Sequence, residues 1–215
     1  MRKRIVALAT VLMLIVSISL VSYAATKLNM SVFENADDIT VKYDDISKVT
    51  TICSTSLSKG EGHVPLDYSY DHVSVYPRIL AIGSTSEYTW NVDYFAKNWM
   101  FIDEMFVKVG NNVYIFTNFI TSRYVSSDAT IQEHLAFSIT NDSLVFMQDL
   151  IEHRDEKIKV RLRGDADYVD FFLPDNVKDG MINVYNLYSM AGGTDPDNMK
   201  HVTATEDAKF SIDAN

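Results

Sequence analysis

The sequence predicts an α+β fold: antiparallel β-hairpins through the middle of the chain, with two helices in its C-terminal half packed on the sheet. Three observations carry this. Residues 86–96 alternate with a period of two, placing Tyr88, Trp90, Val92 and Tyr94 on one side and Glu87, Thr89, Asn91 and Asp93 on the other. Two β-rich runs, Phe106–Val109 and Val113–Phe116, flank Gly110-Asn111-Asn112, residue types that supply the positive φ of a tight hairpin turn. Two later segments, after Asn141-Asp142-Ser143 and after Asp175-Asn176, carry apolar residues at helical spacing behind N-capping side chains.

The chain opens with Arg2-Lys3-Arg4, an uncharged apolar run from Ile5 to about Val21, and Ser22-Tyr23-Ala24-Ala25. A cationic head, an apolar segment and a small-x-small exit form the pattern of a secretory signal peptide cleaved after Ala24. The alternative is an uncleaved anchor, because Ile5 to Ala25 is close to the roughly 20 apolar residues that span a bilayer. The only cysteine is Cys53, so no lipid-accepting thiol stands at the exit.

Behind the signal, residues 25–193 read as one domain and 194–215 as a loose, polar, acidic tail with the composition of a disordered segment. Asp44 or Asp45 is placed to cap a short helix over residues 46–53; residues 54–70 read as loop. His72 to Ile82 reads as a strand in which Pro77 implies an edge or a bulge. After the 106–116 hairpin, residues 118–130 look like a polar loop and 134–140 like a strand. Leu144, Met147, Leu150 and Ile151 share one helical face. Residues 157–163 and 168–173 form a second hairpin, whose cations face Asp167 and Asp170. Val177, Met181, Val184, Tyr185 and Tyr188 mark the last helix, closed by Gly192-Gly193.

Removing residues 1–24 takes away three cations and no acid, leaving 16 basic against 29 acidic residues, a net charge near −13. Such a surface repels phosphate backbones and anionic lipid, so nucleic acid is excluded as a partner and membrane contact is confined to the N-terminal segment. One cysteine forms no internal disulfide; a bridge-free exported chain of this size points to a bacterial source.

Motifs for chemistry are sparse. Ser56-x-x-Lys59 matches the serine–lysine pattern of penicillin-recognising enzymes, but no K-T-G follows and chance accounts for the match. Cys53 with His63 or His72 lacks a thiol-enzyme signature. The five histidines, His63, His72, His134, His153 and His201, show no zinc spacing. Asp165, Asp167 and Asp170 fail the calcium-loop pattern, as does Asp195-Pro196-Asp197-Asn198. Arg163-Gly164-Asp165 is ordinary turn chemistry. No metal or cofactor is expected.

The unusual feature is aromatic density between Tyr68 and Phe101, which holds both tryptophans. Tyr88, Trp90 and Tyr94 side by side form either a core-facing stripe or an exposed platform for a sugar ring or a protein. The functional expectation is an exported, non-catalytic binding domain for a glycan, peptide or protein at the cell surface. The alternatives are a secreted hydrolase whose site assembles only in three dimensions and a structural component of an envelope assembly.

Overall fold

The structure is a computed structural model that describes residues 27–61, 63–66, 71–117, 119–126, 129–138, 144–165, 167–193 and 202–205. The segment 1–24, expected as a signal peptide, lies outside these residues. Among them, no helix is long and apolar enough to cross a membrane.

In chain order the strands are β1 (Ile39–Asp44), β2 (Val49–Ser54), β3 (His63–Pro65), β4 (His72–Ile82), β5 (Thr85–Ala96), β6 (Ile102–Val109), β7 (Asn112–Phe116), β8 (Ile120–Val125), β9 (Ile131–Ser138), β10 (Lys159–Gly164), β11 (Tyr168–Phe172) and β12 (Val202–Thr205). The helices are α1 (Ser31–Glu34), α2 (Leu144–Glu152) and α3 (Asp175–Met190), and a π turn spans Leu57–Glu61. The chain is therefore an α+β protein dominated by antiparallel strands. One sheet runs β1-β2-β4-β5-β9-β8, with β3 beside β2 on the same edge of β4; the other runs β11-β10-β6-β7-β12.

Period-two alternation decides which face of each strand is apolar. Trp90 and Phe137 of the first sheet meet Phe116 of the second, with ring centroids 6.5 and 4.6 Å away. Phe146 of α2 enters the same cluster edge-on, 5.0 Å from both Trp90 and Tyr114. Helix α3 covers the other end of this face: Tyr88 Oη donates to the Met181 carbonyl at 2.9 Å, and its ring packs edge-on against Tyr185. The helix ends in a Schellman arrangement, in which Gly193 N–H bonds the Tyr188 carbonyl and Gly192 N–H that of Ser189, with Gly192 at φ +83°.

Several sequence expectations are corrected. Residues 46–53 are not helical: β1 and β2 form a hairpin, and Asp44 caps its turn by accepting from Ile46 N–H at 2.9 Å and Ser47 N–H at 3.3 Å. The β-branched run Val49-Thr50-Thr51-Ile52 suits a strand better than a helix. Within the expected loop at 54–70 lie the π turn and β3. Residues 120–125, expected as loop, form edge strand β8 against β9; its poor alternation reflects exposure on both faces. The backbone of 202–205, expected in a loose tail, pairs with β7 and covers its outer edge. Pro77 is neither on an edge strand nor at a bulge. It sits where β4 is locally unpaired on one side, after the β3 register ends at Ser74 and before the β2 register begins at Arg78. A residue without an N–H is tolerated there.

Candidate functional site

The face of the first sheet turned away from the second is polar, and strand register assembles it. Pairings β3–β4, β4–β5 and β5–β9 put His63, Ser74, Asp93 and His134 opposite one another in one row across four strands. All four lie on the polar face, because the apolar positions Val73, Val75, Val92, Tyr94 and Leu135 alternate with them.

Asp93 is the hub. It is only 8 % exposed, and its carboxylate receives three partners from three directions. Tyr76 Oη donates at 3.0 Å, Gln132 Nε2 at 3.0 Å, and His134 Nδ1 lies 2.8 Å away. Burial pushes the Asp93 carboxyl up, but the bonds from His134, Gln132 and Tyr76 outweigh it and hold the group below the usual carboxylate range. The Tyr76 hydroxyl moves the other way: burial, then the neighbouring Asp93 charge, raise it well above an ordinary tyrosine, so it is a fixed donor at neutral pH.

Beside this hub is a concavity of about 480 Å³, inside the range typical of small-ligand sites. It exists because β2 and β3 leave a gap along β4, and the chain between them bows out as the π turn. Asp38 anchors that bow by accepting from Ser56 N–H and Ser56 Oγ, both at 2.8 Å. Gly60, at φ +101°, lets the His63 ring approach so closely that a Cβ would meet Nε2 at 3.3 Å. His63, His72 and Phe95 then form a ladder of rings, with centroids 4.7 and 4.4 Å apart along it. Ser74, Tyr76, Arg78 and Asp93 form the floor, Leu57 and Gly60 one wall, and Lys42 and Cys53 another.

Two features distinguish this hollow. Ser74 is 6 % exposed, and its Oγ has no hydrogen-bond partner. Buried hydroxyls are normally satisfied, and leaving one orphaned costs about 1–3 kcal/mol. Lys42 and Arg78 also line the hollow, and among the described residues neither forms an ion pair.

The aromatic platform is not formed. Tyr88 and Trp90 are fully buried and Tyr94 is 7 % exposed, all on the apolar face; burial raises the Tyr94 hydroxyl to about 12. Their alternation is that of a core strand. Cys53 and His63 do share the hollow, although nothing in their spacing indicated it. Ser56 is tied to Asp38 by its hydroxyl and does not belong to the hollow's lining. Asp170 is held by Arg161, at 2.5 and 2.7 Å, and by Lys159. Arg163 pairs with Glu104, while a Cβ on Gly164 would collide with the Met100 carbonyl, so Arg163 and Gly164 belong to β10 and Asp165 follows in the bend after it. Among the described residues no cluster suits a metal ion; Asp195-Pro196-Asp197-Asn198 and His201 lie outside them. Sequence reading missed Ser74, Tyr76, Arg78, Asp93 and His134 as a group. The only available signal was that polar residues recur on one face of strands that later prove to be neighbours.

Three further polar side chains tie elements of the fold together. Glu133 accepts from the N–H groups of Met100, Phe101 and Ile102 at 2.6, 2.8 and 3.0 Å, closing the turn before β6. Asp149 ties α2 to the β6–β7 hairpin through Tyr114 Oη and Asn112 Nδ2. Lys178 donates to the Glu156 carbonyl at 2.7 Å.

Comparisons with known proteins add no relative: no family model, no curated protein and no solved structure matches the chain.

Proposed function

We propose that this chain is an exported, non-catalytic binding domain and that the hollow on the polar face of its first sheet is the binding site. The carrying observation is the buried Ser74 Oγ, without a hydrogen-bond partner, in a cavity that also presents Lys42 and Arg78, neither of which forms an ion pair among the described residues. A folded core gains nothing from an unsatisfied hydroxyl, whereas a ligand supplies its partner. The size suits a single sugar ring or the end of a short peptide rather than a flat protein interface. Export rests on the three-part pattern of the N-terminus.

The test is an amide chemical-shift titration of residues 25–215 with a panel of monosaccharides and short peptides. Perturbations gathered on Ser74, Tyr76, Arg78 and Asp93 support the reading; perturbations elsewhere, or none, remove it. Intact mass of protein recovered from culture medium tests export, with a species starting at Ala25 as the expected result.

A hydrolase is the second reading, favoured by the row His63–Ser74–Asp93–His134. It ranks below binding because no hydrogen bond joins Ser74 Oγ to His63, and Asp93 is already committed to three donors. Nucleophilic serine chemistry needs a base within hydrogen-bond reach. Labelling of Ser74 by a fluorophosphonate would reverse that ranking.

A further inference from the structure

We infer that the ligand of this hollow is a small organic oxyanion, its negative group held by Arg78, Lys42 and Ser74 and its organic body lying against Phe95. The inference rests on the hollow being the binding site and names the chemistry it selects.

Charge is the first argument. The chain carries a formal net charge of −10, yet the charged groups lining the hollow are Lys42, Arg78 and Asp93, with His63 titratable beside them. Among the described residues of the lining Asp93 is the only carboxylate, and its oxygens are turned to Tyr76, Gln132 and His134. The two cations are left without a counter-charge among the described residues. A locally positive hollow in an acidic protein rejects the cations that the rest of the surface attracts and selects anions. Arginine adds geometry, since its planar guanidinium matches a carboxylate or phosphate with two parallel N–H bonds. The Arg78 guanidinium sits 5.6 Å from the Tyr76 ring centroid, which restrains its plane.

The second argument is the donor inventory. Tyr76 Oη is spent on Asp93. Ser74 Oγ is the uncommitted hydroxyl on the floor; it is buried, and turning about χ1 brings it to an anion as a donor. The third is the wall. Phe95 stacks one face on His72, with rings inclined by 15°, and lines the hollow itself. A bare inorganic ion would leave that wall unused; a sugar acid or a sugar phosphate would cover it.

The experiment titrates residues 25–215 with galacturonate, glucose 6-phosphate and neutral galactose, reading amide shifts and dissociation constants, and repeats it with Arg78→Gln and Ser74→Ala. At least one anion is expected to bind about tenfold or more tighter than galactose, to weaken with added salt, and to lose about tenfold in Arg78→Gln. Carboxylate alone or phosphate alone supports the inference and identifies the oxyanion. Ser74→Ala is expected to weaken binding while leaving the unfolding midpoint unchanged or raised, a combination that a merely structural serine does not give. Galactose binding in the hollow as tightly as the anions overturns the charge argument and leaves the site intact. Shifts elsewhere, or no anion binding at about 10 mM, overturn it as well.

Discussion

His134 Nδ1 lies 2.8 Å from Asp93 Oδ1, joining residues 41 apart in sequence through the β9–β5 register. The same register carries Gln132 to the same carboxylate. The polar floor of the hollow is thus a property of strand order, and the groups that hold it together make separable predictions.

Asp93 makes stability depend on acid. Its folded carboxyl titrates below the ordinary value of about 3.9, so its contribution is full above that pH and disappears as pH falls through the lower, folded value. Urea midpoints are expected to drop below about pH 4, and Asp93→Asn to make that drop shallower while costing about 1–3 kcal/mol at neutral pH. Asp170, held low by Arg161 and Lys159 against its own burial, keeps part of the acid dependence in the variant. An unchanged acid slope in Asp93→Asn would count against this account.

Glu133 is expected to matter more for folding than any other acid. It is 1 % exposed and serves three backbone N–H groups and Arg123. Glu133→Gln removes the charge and turns donors towards donors, at a cost of about 3 kcal/mol measurable by urea unfolding. A change below about 0.5 kcal/mol would show that the turn holds without it.

Trp90 reports on the meeting of the two sheets. Trp90→Ala empties the space between Phe116, Phe137 and Phe146 and is expected to cost about 3–5 kcal/mol. Tyr88→Phe keeps the ring and loses the bond to the Met181 carbonyl, about 1 kcal/mol. Thermal unfolding of both variants measures the contrast; equal losses would contradict the packing described.

Two glycines separate steric from conformational need. At Gly164, beside a register shift in the β10–β6 pairing, a Cβ would stand 2.1 Å from the Met100 carbonyl oxygen. Gly164→Ala is expected to cost about 3 kcal/mol. Gly83 has φ +63° with open space around it, so Gly83→Ala meets only backbone strain, about 1 kcal/mol. Denaturant midpoints that rank the two in the opposite order would refute the close approach at Gly164.

Local sequence determined what local physics governs. The alternation of β5, the Gly110-Asn111 turn, the Arg161–Asp170 pairing and the apolar stripe of α3 were all legible, because side chains a few residues apart set each of them. Where local preference was weak, as in 46–53 and 120–125, pairing with a neighbouring strand decided the outcome. For Tyr88, Trp90 and Tyr94, sequence supplied the shared face but not what covers it; packing by α3 and the second sheet made it core. The hollow was decided by tertiary structure alone. Its residues come from β1, β2, the π turn, β3, β4 and β5, and nothing in one strand's sequence encodes which strand lies beside it. Register, set by the burial of the opposite face, brought a serine, a tyrosine, an arginine and an aspartate together there.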